Sequence, residues 1–296
     1  MITFTLPTPK DFDFQATVLS HGWYQLAPNL YDSERLVLQR PYQLENGKRV
    51  MVDFRGGKSN ALIVTVRGQA IITSRDRNKL IQSARWIFNL HQSLTPFYQL
   101  MAKTEGYQWV ADQKSARLLA SPTVWEDLTK TLLTTNTSWG NTRKMVEQLV
   151  ALDPAGVFPS PQIITQYSED DFSERVRAGY RSAYLYEVAQ RVASGELHVE
   201  SWRSLDSDSL YKAVTDLSGF GDYAAGTLMR TIGHFDKLAI DTVARKAYEQ
   251  VTGQAPESDT DIRTYYERFG QWRGLVLWMD CIRDEADTVA DTVAEA

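Results

Sequence analysis

Hydrophobic and polar residues alternate between residue 33 and about residue 75, as they do in strands with one buried face. The apolar positions fall into four groups, which are Leu36 and Leu38; Val50, Val52 and Phe54; Leu62, Val64 and Val66; and Ala70 to Ile72. Asn46-Gly47 suits a tight hairpin turn, and Gly56-Gly57 suits a second reversal of the chain. This pattern predicts a small antiparallel sheet near the N-terminus.

From about residue 77 onward the hydrophobic period is helical. The stripes are Val124, Leu128, Thr131 and Leu132; Met145, Leu149 and Leu152; Tyr184, Val188 and Val192; and Leu210, Ala213, Val214 and Leu217. The proline- and glycine-rich segment 153–161 cannot continue a helix and predicts a loop between two helical halves. We therefore predict an α+β fold with a sheet domain at 1–85, a helical body at 86–283 and an acidic tail at 284–296.

Composition excludes several classes of protein. The chain is 43% hydrophobic and 23% charged, which is typical of globular proteins, and it has no apolar run of about 18 residues that would span a membrane. Its single cysteine, Cys281, excludes an internal disulfide and a four-cysteine iron–sulfur cluster. The four histidines lack a metal-ligand spacing, so no metal site is predicted. The start of the chain has no export signal, and we expect a cytoplasmic protein.

The net charge of −5 argues at first against nucleic acid as a partner, because phosphate binding favours a basic surface. The charge is unevenly distributed, however. Residues 284–296 carry five acidic residues and no basic one, so the rest of the chain is neutral overall and can still hold a basic cleft. The tail has low complexity, and we assign no function to it.

The segment Ser218-Gly219-Phe220-Gly221 lies between a helical stripe that ends at Leu217 and another that begins at Ala225. Alternate glycines let backbone amides at the start of a helix point outward, which suits a phosphate oxygen. Taken alone, the motif is also that of an ordinary helix–helix turn.

Asp241 lies at the head of a further predicted helix, whose stripe is formed by Val243, Ala247 and Val251. Aspartate is a favoured N-cap residue. A cap and a catalytic carboxylate look the same in a sequence, so both interpretations stay open at this point.

Together these segments resemble the helix-hairpin-helix DNA glycosylase superfamily, and most closely its 8-oxoguanine glycosylase and AlkA-type 3-methyladenine glycosylase branch. In the 8-oxoguanine branch a serine- and asparagine-rich helix start, a G-Y-R segment, the hairpin and an aspartate follow in that order. Here they correspond to residues 134–139, 179–184, 218–221 and Asp241, within the strongest part of the resemblance at about 118–250. Phe12-Asp13-Phe14 and the predicted sheet also look like the N-terminal domain of that branch.

The resemblance implies an enzyme that flips a modified base out of duplex DNA and hydrolyses its N-glycosidic bond. Asp241 would stabilise the positive charge that develops on the sugar and orient the attacking water. Asn136 would reach the orphaned partner base and Tyr180 would wedge between base pairs, with Arg181 nearby. The residues around Asn136 also fit helix caps, and Tyr180 also fits a core position.

Two departures from the family pattern carry consequences. Tyr223 occupies the position of the lysine that forms a Schiff base in bifunctional members, which implies a monofunctional enzyme that leaves an abasic site. Tyr223 would either stack on the flipped base or pack in the interior. Ser218 replaces the usual hairpin proline. The resemblance requires no cofactor, and it implies that the hairpin carbonyls are able to hold Na⁺ or K⁺.

The identity of the excised base depends on the residues that line its pocket. Residues 269–279 look like the helix that lines the base pocket in the 8-oxoguanine branch, and they are unusually apolar and aromatic. Most of this segment fits a buried core, although Trp278 would be able to stack on a base. A pocket poor in hydrogen-bond donors favours an alkylated purine over an oxidised or hypermodified base.

The expected partner is double-stranded DNA that contains a modified base, bound by a monomer associated with the nucleoid. Two alternatives remain. The first alternative to a glycosylase is a non-catalytic module that senses distorted DNA through the hairpin, which leaves Asp241 without a role. The second is an unrelated helical scaffold for protein interactions.

Overall fold

The computed structural model describes residues 1–58 and 60–283, so the acidic tail lies outside the described residues. Five strands form one antiparallel sheet in the order β1-β5-β4-β3-β2. They are β1 (Ile2–Pro7), β2 (Leu30–Asp32), β3 (Val37–Gln43), β4 (Arg49–Gly57) and β5 (Ala61–Arg67). A helical body follows the sheet, which confirms the predicted α+β class.

The register of the sheet explains its alternating sequence. Phe54 of β4 pairs with Leu38 of β3 on one side and with Val64 of β5 on the other. All three side chains are almost fully buried, so one face of the sheet packs into the core. The predicted hairpin at Asn46-Gly47 is confirmed, because Gly47 joins β3 to β4 with a φ of +77°.

Two details of the predicted sheet are wrong. Gly56 and Gly57 lie inside β4 and pair with β5, so the chain reverses only after them. A Cβ on Gly56 would lie 3.0 Å from the Cβ of Phe14, so this glycine accommodates a packed aromatic residue rather than a turn. The segment Ala70 to Ile72 forms no strand, and Ile71 is 82% exposed. The edge strands β1 and β2 lie outside the predicted range.

The helices follow the predicted stripes, and the segment 153–160 is a loop as expected. Their bounds are α1 (Phe14–Val18), α2 (Ser74–Ile87), α3 (Thr95–Met101), α4 (Gln108–Asp112), α5 (Val124–Thr134), α6 (Trp139–Val150), α7 (Pro161–Ile164), α8 (Glu169–Val176), α9 (Arg181–Ala193), α10 (Ser207–Thr215), α11 (Asp222–Ile232), α12 (Thr242–Thr252), α13 (Asp259–Glu267) and α14 (Arg273–Cys281). In the part of the chain that the structure describes, no helix has the length and apolar character needed to cross a bilayer.

The buried apolar residues form two core clusters. The larger one joins the sheet and α2 to the helices between α5 and α11. The smaller one joins α3 and α4 to the C-terminal helices α12 to α14. The helical body is therefore in two parts, and the chain passes from the larger part into the smaller one between α11 and α12. The predicted boundary between the sheet domain and the helical body, at residue 85, falls within α2. The division of the chain into these two domains stays a prediction.

A buried ionic network ties the sheet to α5. Arg40 of β3 donates to Glu126 of α5 at 2.9 and 2.5 Å, and the Lys130 ammonium lies 2.6 Å from the same carboxylate. Burial opposes ionisation of Glu126, but the two cations hold its pKa below the usual value. Because an unpaired buried charge is costly, this network fixes the orientation of α5, the helix that leads to Asn136.

Candidate active site

The glycine hairpin connects α10 to α11. Gly219 has a φ of +84°, and a Cβ on it would lie 2.4 Å from the ring of Tyr184, so only glycine fits there. Phe220 is buried and anchors the turn, whereas Ser218 is exposed. Gly221 caps α11 without a side-chain hydrogen bond, and a Cβ on it would meet no atom within 4 Å. The first backbone N–H groups of α11 therefore have no capping side chain and are available to an anion.

Asp241 is the N-cap of α12, and its Oδ1 accepts a hydrogen bond from the backbone N–H of Ala244 at 2.8 Å. In residues 1–58 and 60–283, no donor bonds its other oxygen, Oδ2. The carboxylate is partly exposed and lines a cavity of about 720 Å³ together with Gly219 and Gly221. The two interpretations of Asp241 are therefore compatible, because one oxygen caps the helix and the other has no donor among the described residues.

Asn136 and Tyr180 line the same cavity. Asn136 follows α5 with a φ of +45°, and its Nδ2 lies 3.5 Å from the hydroxyl of Tyr180. Tyr180 is 53% exposed. The hydrogen bond from Asn136 lowers the pKa of Tyr180. An exposed tyrosine and an exposed amide that contact each other across two loops form a protruding pair at the edge of the cavity.

Arg181 contacts the turn that contains Asn136. It is buried, and its guanidinium donates to the backbone carbonyls of Thr135 and of Asn136, the latter at 3.0 Å. Its Cζ lies 4.5 Å from the centroid of the Tyr180 ring. The structure thus gives Arg181 a positioning part, because its hydrogen-bonding capacity is directed at the turn that presents Asn136.

The two residues predicted for a base pocket lie in different places. Tyr223 lines the cavity, and its pKa is raised by burial and by the negative charge of Asp241. Trp278 does not line it. The indole N–H of Trp278 instead donates to the carbonyl of Ser20 at 3.1 Å, and the Arg230 guanidinium lies 4.5 Å from its ring centroid.

The residues that position Asp241 are two glycines whose roles the sequence did not reveal. A Cβ on Gly226 of α11 would lie 2.8 Å from the carbonyl oxygen of Leu238 and 2.9 Å from the amide of Ala239. On α14, a Cβ on Gly274 would lie 2.1 Å from the carbonyl oxygen of Lys237. The segment that ends at Asp241 is thus held between the backbones of two helices.

No group of three or more His, Cys, Asp or Glu side chains is arranged to hold a metal ion among the residues that the structure describes. The Leu217 carbonyl of the hairpin accepts from the Phe220 amide at 3.2 Å. Na⁺ or K⁺ at this turn stays a prediction from the resemblance.

The contact at Gly226 has a measurable consequence. We predict that Gly226→Ala lowers the free energy of unfolding by about 1–3 kcal/mol, as overpacking does, although alanine favours helix. Urea denaturation measures this change. Gly140→Ala in α6 is the matched control, since a Cβ there meets nothing within 4 Å, and it should leave stability unchanged or raise it by up to about 1 kcal/mol. Equal effects of the two substitutions would contradict the proposed constraint.

By sequence, no protein-family model and no curated protein matches this chain. Solved structures match it by fold. A 3-methyladenine DNA glycosylase from Archaeoglobus fulgidus is 17% identical with a TM-score of 0.73, over 96% of this chain and 98% of that one. An 8-oxoguanine glycosylase/lyase from Clostridium acetobutylicum, in complex with DNA that has cytosine opposite 8-oxoguanine, is 17% identical with a TM-score of 0.71, over 97% and 99%.

A third match is narrower. The 3-methyladenine DNA glycosylase Mag1 of Schizosaccharomyces pombe, in complex with abasic DNA, is 17% identical with a TM-score of 0.54, over 63% of this chain and 94% of that one. The two longer matches include the sheet as well as the helical body. The chain therefore has the fold of the helix-hairpin-helix DNA glycosylases.

Proposed function

We propose that the protein is a monofunctional DNA glycosylase, which hydrolyses the N-glycosidic bond of a modified base and leaves an abasic site. One observation carries the proposal. A carboxylate with a free oxygen, Asp241, lines the same cavity as the amide-presenting hairpin at Gly219 and Gly221 and the protruding pair of Asn136 and Tyr180. The DNA glycosylases of the same fold support it.

DNA binding would begin at the hairpin. The free N–H groups at the start of α11 are donors for a backbone phosphate, and the helix dipole favours the negative charge. Extrusion of a nucleotide costs a few kcal/mol of stacking and pairing. Tyr180 is exposed and apolar enough to fill the vacated space, and the Asn136 amide is suited to hydrogen-bond the orphaned base.

The chemical step would depend on Asp241. Cleavage of the N-glycosidic bond develops positive charge on the deoxyribose. The hydrogen bond from Ala244 holds Oδ1 in place, so the carboxylate is fixed at the cavity wall. A carboxylate fixed in this way stabilises the developing cation and orients the water that attacks the sugar. The products are the free base and an abasic sugar.

Asp241→Asn tests the catalytic role with the cap retained, because asparagine is an equally good N-cap. We expect base release to fall by about 10²- to 10³-fold, as when one electrostatic group of an active site is removed. Mass spectrometry of bases released from genomic DNA with mixed damage measures this without presuming the substrate. Asp206→Asn, at the aspartate cap of α10, is the matched control and should keep full activity.

Equal base release by wild type and Asp241→Asn, including none from either, would contradict catalysis and favour a module that binds distorted DNA without turnover.

The chemistry of the cavity wall supports the proposed absence of lyase activity. Among the residues that the structure describes, no lysine lines the cavity, and Tyr223 cannot form an imine. Lys237, the lysine nearest in sequence to Asp241, bonds Asp208 at 2.6 Å and lines a different pocket. A Schiff-base nucleophile is therefore missing from the described wall.

We predict that borohydride traps no covalent complex between the wild-type protein and lesion-containing DNA. Tyr223→Lys places an amine in the cavity and should yield a trapped complex, detected by a shift on a denaturing gel. This variant also shows that the assay works. A trapped complex with wild type would overturn the monofunctional assignment.

A further inference from the structure

Among the residues that the structure describes, Arg245 is the one lysine or arginine that lines the cavity beside the glycine hairpin. Two carboxylates, Asp222 and Asp241, line the same cavity. The wall therefore carries two negative charges and one positive charge. A DNA strand that enters the cavity brings negative phosphates close to these carboxylates, so a cation on the wall offsets a repulsion that would otherwise oppose binding.

The carboxylates of the wall do not use Arg245 as their counterion. Oδ1 of Asp222 accepts from the hydroxyl of Tyr211 at 2.5 Å, and its Oδ2 lies 3.2 Å from Nη2 of Arg263. Asp241 forms no ion pair within residues 1–58 and 60–283. The positive charge of Arg245 is therefore not neutralised by another residue of the wall.

The guanidinium of Arg245 is held along one edge and has unused donors on the other. Its Nε and Nη2 donate to Oδ1 of Asp259 in α13, at 3.0 and 2.8 Å. In the described ranges 1–58 and 60–283, no acceptor bonds its Nη1. The side chain is 45% exposed, and Asp259 does not line the cavity. An arginine has five N–H donors in one plane, so Arg245 is able to bind a second anion while Asp259 orients it.

The backbone of α12 fixes Arg245 relative to Asp241. The two residues are four positions apart, and the amide of Arg245 donates to the carbonyl of Asp241 at 3.0 Å. Side chains at this spacing lie on the same face of a helix, about one turn apart. An anion on Arg245 would therefore lie next to the group that faces the sugar in the proposed function. In a nucleotide, the anion nearest to the sugar is the backbone phosphate.

We propose that Arg245 binds a phosphate that flanks the extruded nucleotide, and so holds the sugar against the Asp241 carboxylate. This inference rests on the proposed glycosylase function. A guanidinium suits this contact, because its planar donors match two phosphate oxygens. The hairpin amides would bind another phosphate of the same strand, so the strand would be held at two points of the cavity wall.

Removal of a single phosphate charge tests the contact. The probes are duplexes that contain a tetrahydrofuran, an abasic-site analogue that is not cleaved. In two of them an uncharged methylphosphonate replaces the phosphate on the 5′ or the 3′ side of the tetrahydrofuran. We expect Arg245→Met to weaken binding of the all-phosphate duplex about 10-fold, the loss of one charge-assisted hydrogen bond. For one of the two methylphosphonate duplexes the loss should be about 2-fold or less, because the partner of the arginine is already neutral.

The salt dependence of binding is a second readout. A contact between a cation and a phosphate releases counterions from duplex DNA, so Arg245→Met should reduce the slope of log affinity against log salt concentration by about 0.9. Arg245→Lys keeps the charge without the planar fork. It should keep the wild-type slope and the sensitivity to the same methylphosphonate, and it provides the test if Arg245→Met does not fold by circular dichroism.

Arg191→Met is the matched control. The Nε of Arg191 also donates to a carboxylate, that of Glu196, at 2.7 Å, but Arg191 does not line the cavity. This variant removes a comparable ion pair without a predicted phosphate contact. It should bind all three duplexes with the wild-type affinity and the wild-type slope.

A loss of affinity in Arg245→Met that is equal for all three duplexes would overturn the inference, because the arginine would then act on the fold and not on a phosphate. Failure of wild type to bind the all-phosphate duplex would overturn it as well. Coupling to one phosphate, without base release from DNA with mixed damage, would leave the inference standing and contradict the proposed catalysis.

Discussion

The close approach of two backbones places Asp241, the proposed catalytic group. Gly226 lets α11 touch the segment at Leu238 and Ala239 with no side chain between them. Because the hairpin is at the start of α11 and Asp241 is three residues beyond Leu238, one contact sets the distance between the hairpin amides and the carboxylate. Gly274 presses on the same segment from α14. The cavity between the two parts of the helical body depends on these contacts.

The two oxygens of the Asp241 carboxylate have different environments. One oxygen caps the first turn of α12, and this hydrogen bond holds the carboxylate in place at the cavity wall. In the proposed function a single carboxylate thus has both a structural and a chemical role. Arg181 follows a related principle, since it holds the turn that presents Asn136 through backbone carbonyls and does not itself protrude. The groups that would contact DNA are exposed, and those that hold them are buried.

Much of the architecture could be predicted from periodicity. Local patterns, in which hydrophobic residues mark the buried positions, predict strands β3 to β5 and the helical stripes. They also predict the hairpin and the start of α12. Local patterns failed where a distant segment decided the outcome. Gly56 accommodates Phe14 rather than a turn, and β1 exists because it pairs with β5, more than fifty residues further along the chain. The environments of Gly226, Arg230 and Trp278 are likewise set by long-range contacts.

The central claim is that the Asp241 carboxylate faces a positive charge that develops on the sugar of an extruded nucleotide. Affinity for two abasic-site analogues tests it most directly. A pyrrolidine in duplex DNA carries a protonated nitrogen at the position of that charge, whereas a tetrahydrofuran is neutral. The account predicts that wild type binds the pyrrolidine duplex at least about 10-fold more tightly, as a charge-assisted contact requires. Equal affinity for the two duplexes would contradict it.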